Sequence, residues 1–491
     1  MKNGNPQDDK GVAYKLKLKD IIRGLDVVEI YNDSNPEIVH ITNNSRECKK
    51  GSLFFAVRGF ATDGHKYVGS AVQNGADAVI CEEYNPDIKC TQVVVKDSRR
   101  SEAIAASEFY EFPHKKFRLL GVTGTNGKTT VTYLLKHILE SKGNKVGLIG
   151  TNQNMIGDEV FETGRTTPDS IELQGIFKKM AEANVDYCIM EVSSHALDLD
   201  RVYGCNFYAG AFTNLTQDHL DFHKTMDNYA MAKAKLFAIS DNAVINADDD
   251  YCNVMISKAF GKLFTYSAHN DAILKAQDVD LSAKGVSFNL NGEEMFLSIP
   301  GEFSVYNALC AIGMALSCGI DIKDIKNALL TARGVKGRAE VVKTDTDYTV
   351  LIDYAHTPDG IENILKTVKG FAKGRTVIVF GCGGDRDNAK RPIMGRIAGE
   401  IADFCIVTSD NPRTEDPMKI ITMVEEGVKE SGAEYVVIES RYDAIKYALL
   451  NAKKDDVIVL AGKGHETYQI LNSGTIHFDE REVVKEILGL N

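Results

Sequence analysis

The sequence predicts an α/β protein with three domains. At 491 residues the chain is too long for one hydrophobic core, and typical domain sizes suggest about three domains. Short apolar runs alternate with helical patterns along most of the chain, which is typical of parallel sheets covered by helices. A glycine-rich segment at residues 121–130 follows one apolar run and precedes a helical pattern, as phosphate-binding loops do.

We place the domain boundaries at residues 1–115, 116–340 and 341–491. The first domain is a small α/β domain, because it combines short apolar runs with one helical pattern. The runs lie at 38–41, 53–57, 78–80 and 93–95, and the helical pattern lies between 66 and 78. The second domain reads as a doubly wound domain, from strand-like runs at 146–149, 187–190, 209–213 and 243–245.

Composition excludes several classes of function. The net charge is −12 and no long basic tract occurs, so nucleic acid is not expected as a partner. No apolar run approaches the ~18 residues of a membrane span, so no membrane partner is expected. Ten scattered cysteines indicate reduced thiols. Residues 1–10 are polar and lack the apolar core of a secretory signal, so we expect a loose tail and a cytoplasmic protein.

The glycine-rich segment has the chemistry of a nucleotide triphosphate cradle. Glycines at 121, 124 and 127 let backbone N–H groups close around phosphate, Lys128 neutralises charge, and the Thr129 hydroxyl can ligate Mg²⁺. The strict pattern has glycine six residues before the lysine, where this chain has Val122. The alternative is an ordinary glycine turn. The agreement of strand, turn, lysine, hydroxyl and helix favours the phosphate loop.

Two polar groups follow later strands of the second domain. Glu191 ends an apolar run, where a carboxylate beside a phosphate loop can hold Mg²⁺ directly or through water. The alternative is an ion pair at the surface. Residues 214–223 bring two histidines and two aspartates into one turn, and a site role is favoured over packing. Lys233 and Lys235 lie in a helical pattern and, from the residues alone, are solvated surface charges.

The third domain is predicted to be Rossmann-like and to carry one composite site. Buried strands are predicted at 350–352, 377–380, 404–407, 436–438 and 457–460. Four of them run into polar residues, at 353–356, 381–386, 409–413 and 462–466, and open α/β sheets bind ligands at that edge. Arg413 suits bidentate capture of a carboxylate, although a single arginine there is often an ion pair. A dinucleotide site at 381–384 is disfavoured, because acidic residues follow it.

Taken in order, these segments resemble the Mur ligases, ATP-dependent amide-forming enzymes of peptidoglycan precursor synthesis. The resemblance covers nearly the whole chain from residue 38. It is carried by residues 124–130, 191–195, 214–219, 232–233, 306–307, 337–338 and 353–356. It implies a uridine-binding first domain, an ATP-binding second domain and an amino-acid-binding third domain. Such an enzyme serves cell wall biogenesis and, through it, cell shape and division.

Within that family the chain is most similar to the branch that extends UDP-N-acetylmuramoyl-L-alanyl-D-glutamate by a third residue. The resemblance implies that Ser45 contacts the nucleotide. It assigns the muramoyl dipeptide to Thr166, Thr167, Ser193 and Arg201. Two departures affect these contacts: Asn44 replaces the usual aspartate, and Arg165 replaces the asparagine that commonly precedes the two threonines.

Residues 410–413 resemble the version that selects meso-2,6-diaminopimelate as the incoming amino acid. Arg413 would bind its second carboxylate, and Asp410 and Glu466 would accept from its distal ammonium. L-lysine would leave the guanidinium unpaired, at a cost of about 1–3 kcal/mol or more. The remaining residues that the resemblance places in this pocket are Arg386, Asn411, Pro412 and Gly462. The same ligase adding L-lysine is the alternative.

The resemblance also implies the catalytic groups. ATP would bind at Gly124, Thr125, Asn126, Gly127, Lys128, Thr129 and Thr130, with Asn307, Arg338 and Asp353 completing the site. One Mg²⁺ would bind Thr129 and Glu191; a second would bind His219 and Lys233, carbamylated by CO₂ into an oxygen ligand. An acyl phosphate would then be attacked by the amine, with His356 or His465 as the base. Closure of the third domain would assemble the site.

Two other functions are considered. A folylpolyglutamate synthetase-like ligase uses a similar loop and lysine chemistry, but it usually lacks a uridine-binding domain ahead of the loop. A non-catalytic, nucleotide-gated binding protein is disfavoured because Lys128, Glu191, His219 and Lys233 are all present. No residue pattern determines the oligomeric state, and we expect a monomer.

Overall fold

A computed structural model describes residues 15–59, 62–161, 164–282 and 284–490, with the side chain of Asp221 left out. The expected loose tail at residues 1–10 lies outside the described residues. The chain forms two compact units. One consists of residues up to 128 with 142–245 and 249–263; the other consists of 129–141, 246–248 and 264 onward.

The N-terminal part of the first unit is a small α/β domain, as predicted. Its strands are β1 (Leu16–Lys17), β2 (Val27–Tyr31), β3 (Glu37–Ile38), β4 (His40–Thr42), β5 (Ser52–Phe55), β6 (Ala76–Cys81) and β7 (Thr91–Val95). Its helices are α1 (Leu18–Ile21), α2 (Val68–Gln73) and α3 (Ser98–Phe109). Five strands form one sheet in the order β2-β7-β6-β5-β4. The Asp97 carboxylate caps α3 by accepting from the amides of Arg99 and Arg100.

The helix predicted between 66 and 78 is wrong at its C-terminal end. Helix α2 stops at Gln73, and the chain is already a strand from Ala76. Gly75 takes a φ of 110° and passes so close to the neighbouring backbone that an added Cβ would lie 2.7 Å from the Lys50 nitrogen. The tight turn at this glycine therefore ends the helix.

The central part of the first unit is a doubly wound sheet. Its strands are β8 (Arg118–Thr123), β9 (Val146–Ile149), β10 (Asn154–Ile156), β11 (Glu159–Phe161), β12 (Tyr187–Glu191), β13 (Ala209–Phe212) and β14 (Asn242–Asn246). Its helices are α5 (Ser170–Glu182), α6 (Ser194–Asp198), α7 (Leu220–His223), α8 (Met226–Ala234) and α9 (Cys252–Ile256). Helix α4 (Lys128–Ser141) follows β8 in the chain, and its residues 129–141 belong to the second unit. Strands β9, β12, β8, β13 and β14 are parallel neighbours in that order, so their carboxyl ends share one edge.

The second unit begins with a β-rich segment and two helices. They are β15 (Lys262–Ser267), β16 (Leu274–Ser282), β17 (Gly285–Leu290), β18 (Glu293–Leu297), α10 (Glu302–Ser317) and α11 (Ile322–Thr331). Helix α10 contains several alanines, serines and a glycine. Its apolar residues are almost all buried.

The C-terminal domain is a second parallel α/β sheet. Its strands are β19 (Glu340–Val342), β20 (Thr349–Asp353), β21 (Thr376–Phe380), β22 (Phe404–Val407), β23 (Tyr435–Val437), β24 (Val457–Ala461), β25 (Tyr468–Leu471) and β26 (Gly474–His477). Its helices are α12 (Pro358–Lys369), α13 (Lys390–Ile401), α14 (Pro417–Ser431), α15 (Arg441–Leu450) and α16 (Glu480–Leu488). The sheet order is β19-β20-β24-β21-β22-β23, and only β19 is antiparallel.

Alternate residues of these strands pack on opposite layers. Leu351 and Ile378 face the cluster formed with α12, α13 and α14, whereas Val350 and Val377 face the cluster formed with α15 and α16. Helices therefore cover both faces, and the polar loops at the carboxyl ends of the strands carry the chemistry. Across the described ranges, no helix has the length and apolar character needed to traverse a bilayer.

Candidate active site

The phosphate loop begins at Gly124, two residues later than the strict pattern suggests. Val122 lies inside β8, fully buried, and pairs with Glu191 on one side and Ala211 on the other. Gly124 has a φ of 147°, and a Cβ added there would lie 1.8 Å from the Thr213 hydroxyl. Glycine is therefore required at 124, and Val122 is a strand residue rather than a defect in the loop.

The segment after β13 braces this loop. Asn214 accepts from the amide of Thr125 through its carbonyl at 2.8 Å and from the amide of Asn126 through its side chain at 2.9 Å. The Thr213 hydroxyl donates to the Asn126 carbonyl at 2.6 Å. The Lys128 ammonium donates to the carbonyls of residues 124 and 125, both at 2.9 Å. The loop is thus closed around a cation at a helix N-terminus, an arrangement that binds anions.

Glu191 is a buried carboxylate at the end of β12. Only 1% of its surface is exposed, so the alternative of a surface ion pair is wrong. Its two oxygens accept from the amide and the hydroxyl of Thr151, each at 3.0 Å. Its backbone carbonyl accepts from the Thr167 hydroxyl at 2.9 Å. Two segments therefore hold this carboxylate at the edge of the sheet where the phosphate loop starts.

The predicted polar cluster at 214–223 forms a histidine group with α6 and α8. His219 is exposed, and its ring centroid lies 4.8 Å from that of His195. His223 is buried, bonds Ser194 at 2.9 Å and stacks on Tyr229. Burial lowers the pKa of His223 to about 4, so its ring is neutral near pH 7. Among the residues that the structure describes, no three His, Cys, Asp or Glu side chains are grouped as a metal site.

Lys233 in α8 and Lys235, directly after that helix, differ sharply in their burial. The prediction of a solvated charge is wrong for Lys233, which is 1% exposed with its Nζ 4.4 Å from the centroid of the Tyr229 ring. Burial, and next the charge of Lys128, hold the pKa of Lys233 well below its ordinary range. Lys235 is a surface charge as predicted, 2.7 Å from Asp198.

A cavity of about 480 Å³ lies between the N-terminal domain and the loops and helices of the central part of the first unit. Ser45 and Arg201, which the sequence assigned to one substrate, both line it. Arg46, Arg99 and Arg165 are further cationic groups on its wall. The cavity is therefore suited to an anionic ligand.

The other predicted contacts of that substrate adjoin the cavity through a chain of bonds. Arg201 donates to the Thr167 carbonyl at 2.9 Å, and the Ser193 amide donates to the Thr167 hydroxyl at 3.0 Å. The Thr166 and Thr151 hydroxyls lie 3.0 Å apart. The structure thus brings together all five residues that the sequence assigned to the UDP-linked substrate.

Glu102 is a residue of this cavity that sequence reasoning missed. It lies in α3, is 5% exposed, and accepts from the Asn43 amide group at 3.1 Å. Burial raises its pKa to about 7. A signal existed: Glu102, Ala106 and Phe109 share one helical face, which places a carboxylate on an otherwise apolar stripe.

In the second unit, the loops after β22 and β24 meet. Asn411 donates to Glu466 at 2.9 Å and accepts from the Lys463 ammonium at 3.0 Å. Gly462 has a φ of 115°, and a Cβ there would lie 2.5 Å from an Asp410 oxygen. The expected composite arrangement at this edge of the sheet is therefore present.

The loop after β21 completes that group. Arg413 donates to the Gly384 carbonyl at 2.7 Å, and Pro412 packs against the same glycine. Arg386 is exposed and donates to the backbone carbonyl of its neighbour Asp385 at 3.2 Å. The three loops thus supply two guanidinium groups, Asp410 and Glu466 to one face.

Arg338 and Asp353, which the resemblance assigns to ATP, lie close together in the second unit. Asp353 accepts from the amides of Ala339 and Ala355, and burial raises its pKa. The Arg338 guanidinium lies 5.2 Å from the Tyr354 ring centroid. The Asn307 side chain is buried in α10.

The two candidate bases flank Tyr354. The centroids of the His356 and His465 rings lie 4.6 and 4.9 Å from that of its ring. His356 is exposed and bonds the Tyr354 carbonyl at 2.7 Å. His465 is half-buried, and burial followed by the nearby Arg338 lowers its pKa. This favours the neutral form of His465, which is the form that accepts a proton.

Three protein-family models match the chain. The Mur ligase family catalytic domain matches residues 37–108, and the Mur ligase middle domain matches 122–315. The Mur ligase glutamate ligase domain matches 337–464.

Close relatives match almost the whole chain. A protein of Caldanaerobacter subterraneus subsp. tengcongensis named UDP-N-acetylmuramoyl-L-alanyl-D-glutamate–2,6-diaminopimelate ligase is 52% identical, over 96% of this chain and 99% of the relative. A protein of Clostridium botulinum with the same name is 50% identical, with the same coverage. A solved structure of a ligase of that name has a TM-score of 0.73 at 32% identity, covering 97% of this chain and 99% of that one.

Stability of the first unit should fall as Glu102 ionises. The pKa of Glu102 is raised from 4.5 to about 7 in the folded protein. The stabilisation from its protonation is therefore fully present below about pH 4.5 and is lost as pH rises through about 7. Between about pH 5 and pH 8, the wild type should lose roughly 2–4 kcal/mol of unfolding free energy relative to Glu102→Gln. Urea unfolding at both pH values measures this, with Glu108→Gln on the same helix as control. The same pH dependence in wild type and Glu102→Gln would contradict it.

Proposed function

Because this chain belongs to the Mur ligase family, we propose that it is the ATP-dependent ligase joining meso-2,6-diaminopimelate to UDP-N-acetylmuramoyl-L-alanyl-D-glutamate. The observation that carries the choice of amino acid is the placement of Arg413 beside Asp410, Asn411 and Glu466 on adjoining loops. The product is a precursor of peptidoglycan. The expectation of a ligase of this family is confirmed by the named relatives.

ATP is the energy source, and its phosphates bind the loop at residues 124–130. The closed backbone, the Lys128 ammonium and the start of α4 support this assignment. Asn307 is assigned to the base, and Arg338 and Asp353 are assigned to ATP as the resemblance implies. We place the enzyme in the cytoplasm, where ATP is available.

Mg²⁺ fits the donor chemistry of the residues that the resemblance assigns to it. Thr129 and Glu191 would hold one ion, and His219 with carbamylated Lys233 would hold another. Bound Mg²⁺ supplies positive charge that neutralises the phosphates during transfer. The fit depends on Lys233, because an ammonium cannot ligate a cation.

The environment of Lys233 favours its carbamylation. Attack on CO₂ requires the neutral amine, and the lowered pKa of Lys233 favours that form. The amine nitrogen forms a bond to the CO₂ carbon and releases a proton to water. The product is an anionic oxygen ligand, which suits a hard cation.

The UDP-linked substrate binds the cavity of the first unit. Ser45 contacts the nucleotide, and Arg201 lies on the same wall. Thr166, Thr167 and Ser193 hold the dipeptide next to Glu191. This places the carboxylate to be activated on the side of the sheet where the phosphate loop begins.

Meso-2,6-diaminopimelate binds the composite site of the second unit. Arg413 and Arg386 face its distal carboxylate, and Asp410 and Glu466 accept from the ammonium beside it. Asn411, Pro412 and Gly462 shape the pocket. L-lysine has no second carboxylate, so it would leave a guanidinium unpaired.

The reaction then follows from these positions. A substrate carboxylate oxygen attacks the γ-phosphorus, ADP leaves, and an acyl phosphate forms. The amine of diaminopimelate loses a proton to a base. We assign His465 as this base, with His356 as the second candidate. The amine nitrogen attacks the acyl carbon, and phosphate leaves with the bridging oxygen.

The N-terminal domain favours this reaction over that of a folylpolyglutamate synthetase. Residues 37–108 match the Mur ligase family catalytic domain, and folylpolyglutamate synthetases usually lack a uridine-binding domain there. A monomeric state stays a prediction.

Wild-type enzyme should prefer meso-2,6-diaminopimelate over L-lysine by about 100-fold or more in kcat/KM, since the site would leave Arg413 unpaired with lysine. Phosphate release with ATP and the UDP-linked dipeptide measures it. Arg413→Lys should lose most of that preference, because a point charge cannot pair bidentately. Equal or faster turnover of L-lysine by the wild type would contradict the assignment, and no substrate-dependent phosphate release would favour a binding protein.

Lys233 should carry a carbamate and Lys235 should not. Enzyme equilibrated with ¹³C-bicarbonate should show a protein carbamate signal by NMR that Lys233→Met lacks and Lys235→Met keeps. Phosphate release should fall about 100-fold or more in Lys233→Met and stay near wild type in Lys235→Met. A carbamate signal that persists in Lys233→Met, or full activity of that variant, would contradict this role.

A further inference from the structure

Two loops at the edge of the C-terminal sheet run side by side. The loop after β21 and the loop after β22 are joined by a bond from the Gly384 amide to the Asn411 carbonyl at 2.9 Å. A Cβ at Gly384 would lie 1.9 Å from the Pro412 carbonyl oxygen, so the two backbones are in direct contact. Any shift of one loop must therefore move the other.

An ion pair between the buried Arg391 and the partly exposed Glu415 ties both loops to helix α13. Arg391 has a side chain with 0% exposure and bonds the two oxygens of Glu415 at 3.0 and 2.8 Å. The same guanidinium donates to the Gly383 carbonyl at 3.4 Å. Glu415 in turn accepts from the Asp385 amide at 2.5 Å. One bidentate pair thus contacts the loop after β21 twice and holds the loop after β22 through Glu415 itself.

Arg413 depends on the loops that this pair fixes. Its guanidinium donates to the Gly384 carbonyl at 2.7 Å, and a Cβ at Gly383 would lie 2.9 Å from its Nη1. Its own φ is 52°, an uncommon conformation for arginine that its neighbours must maintain. Arg413 lies two residues before Glu415 on the same loop. The direction of its guanidinium is therefore set by backbone that Arg391 and Glu415 hold in place.

We propose that Arg391 and Glu415 are positioning residues that aim Arg413 at the distal carboxylate of the incoming amino acid. The proposal rests on the proposed function, in which Arg413 binds that carboxylate. Neither residue of the pair touches the amino acid in this scheme. Selection of diaminopimelate over lysine then depends on a pair of residues outside the pocket.

The same domain offers a matched ion pair with no such role. Arg375 bonds Asp456 at 2.6 Å, and the Asp456 side chain is 1% exposed. This pair precedes β21 and β24, at the amino ends of the strands, whereas the pocket loops follow their carboxyl ends. It therefore reports what loss of a buried ion pair does to the domain without moving Arg413.

The test compares Glu415→Gln and Arg391→Lys with Asp456→Asn in the full-length enzyme. Glu415→Gln should raise the KM for meso-2,6-diaminopimelate about 10-fold to 100-fold, the usual effect of removing a residue that orients a ligand-binding side chain. The kcat and the KM values for ATP and the UDP-linked dipeptide should change little. Its kcat/KM preference over L-lysine should fall by a similar factor. Arg391→Lys should act in the same direction, and Asp456→Asn should lower thermal stability without changing the KM for diaminopimelate.

A double-mutant cycle separates positioning from general damage. In the Arg413→Ala background, Glu415→Gln should have no further effect on the KM for diaminopimelate, because it acts only through Arg413. Three results would overturn the inference. They are an equal change in the KM for diaminopimelate in both backgrounds, an equal change in that KM in Asp456→Asn, or no change in that KM in Glu415→Gln. The proposed function would still stand if the wild type used diaminopimelate. Failure of the wild type to use diaminopimelate would overturn both.

Discussion

Gly124 packs directly on Thr213, and the site of the first unit depends on this contact between the ends of β8 and β13. Because no side chain separates them, the next turn of backbone lies against residues 213–216 and takes its hydrogen bonds from them. The same approach brings the Thr125 hydroxyl to 3.2 Å from that of Tyr229 in α8. Helix α8 is thereby held against the phosphate loop, with Lys233 one turn further along it.

Both units bury ionisable side chains away from water. Lys233 is an amine in a buried setting that favours its neutral form, which is the form that reacts with CO₂. In the C-terminal domain the fully buried Arg441 and Glu480 approach to 2.7 Å, and Arg441 also lies 4.0 Å from Asp410. Because buried ion pairs contribute little net stability, the Arg441–Glu480 pair is better explained by the position that it gives Asp410.

Sequence patterns predicted the parts of this fold that depend on local order. The strand at Phe404–Val407 and the polar residues after it follow from an apolar run that ends abruptly, and both are where the pattern places them. The C-terminal limit of the helix expected between 66 and 78 was wrong, because the turn at Gly75 is imposed by contact with a distant segment. Burial of Lys233 and Glu102 likewise depends on neighbours far away in sequence. The roles of the site residues were proposed from resemblance, which helical periodicity alone could not supply.

The most direct test of carboxylate activation follows one oxygen atom. The UDP-linked dipeptide is labelled with oxygen-18 in the carboxylate that becomes the amide, and the phosphate released with ATP and meso-2,6-diaminopimelate is analysed by mass spectrometry. If the carboxylate attacks the γ-phosphorus and the amine then displaces phosphate, each phosphate released carries one labelled oxygen. Phosphate free of label, formed at the rate of amide formation, would contradict an acyl phosphate and with it the central chemistry assigned to this chain.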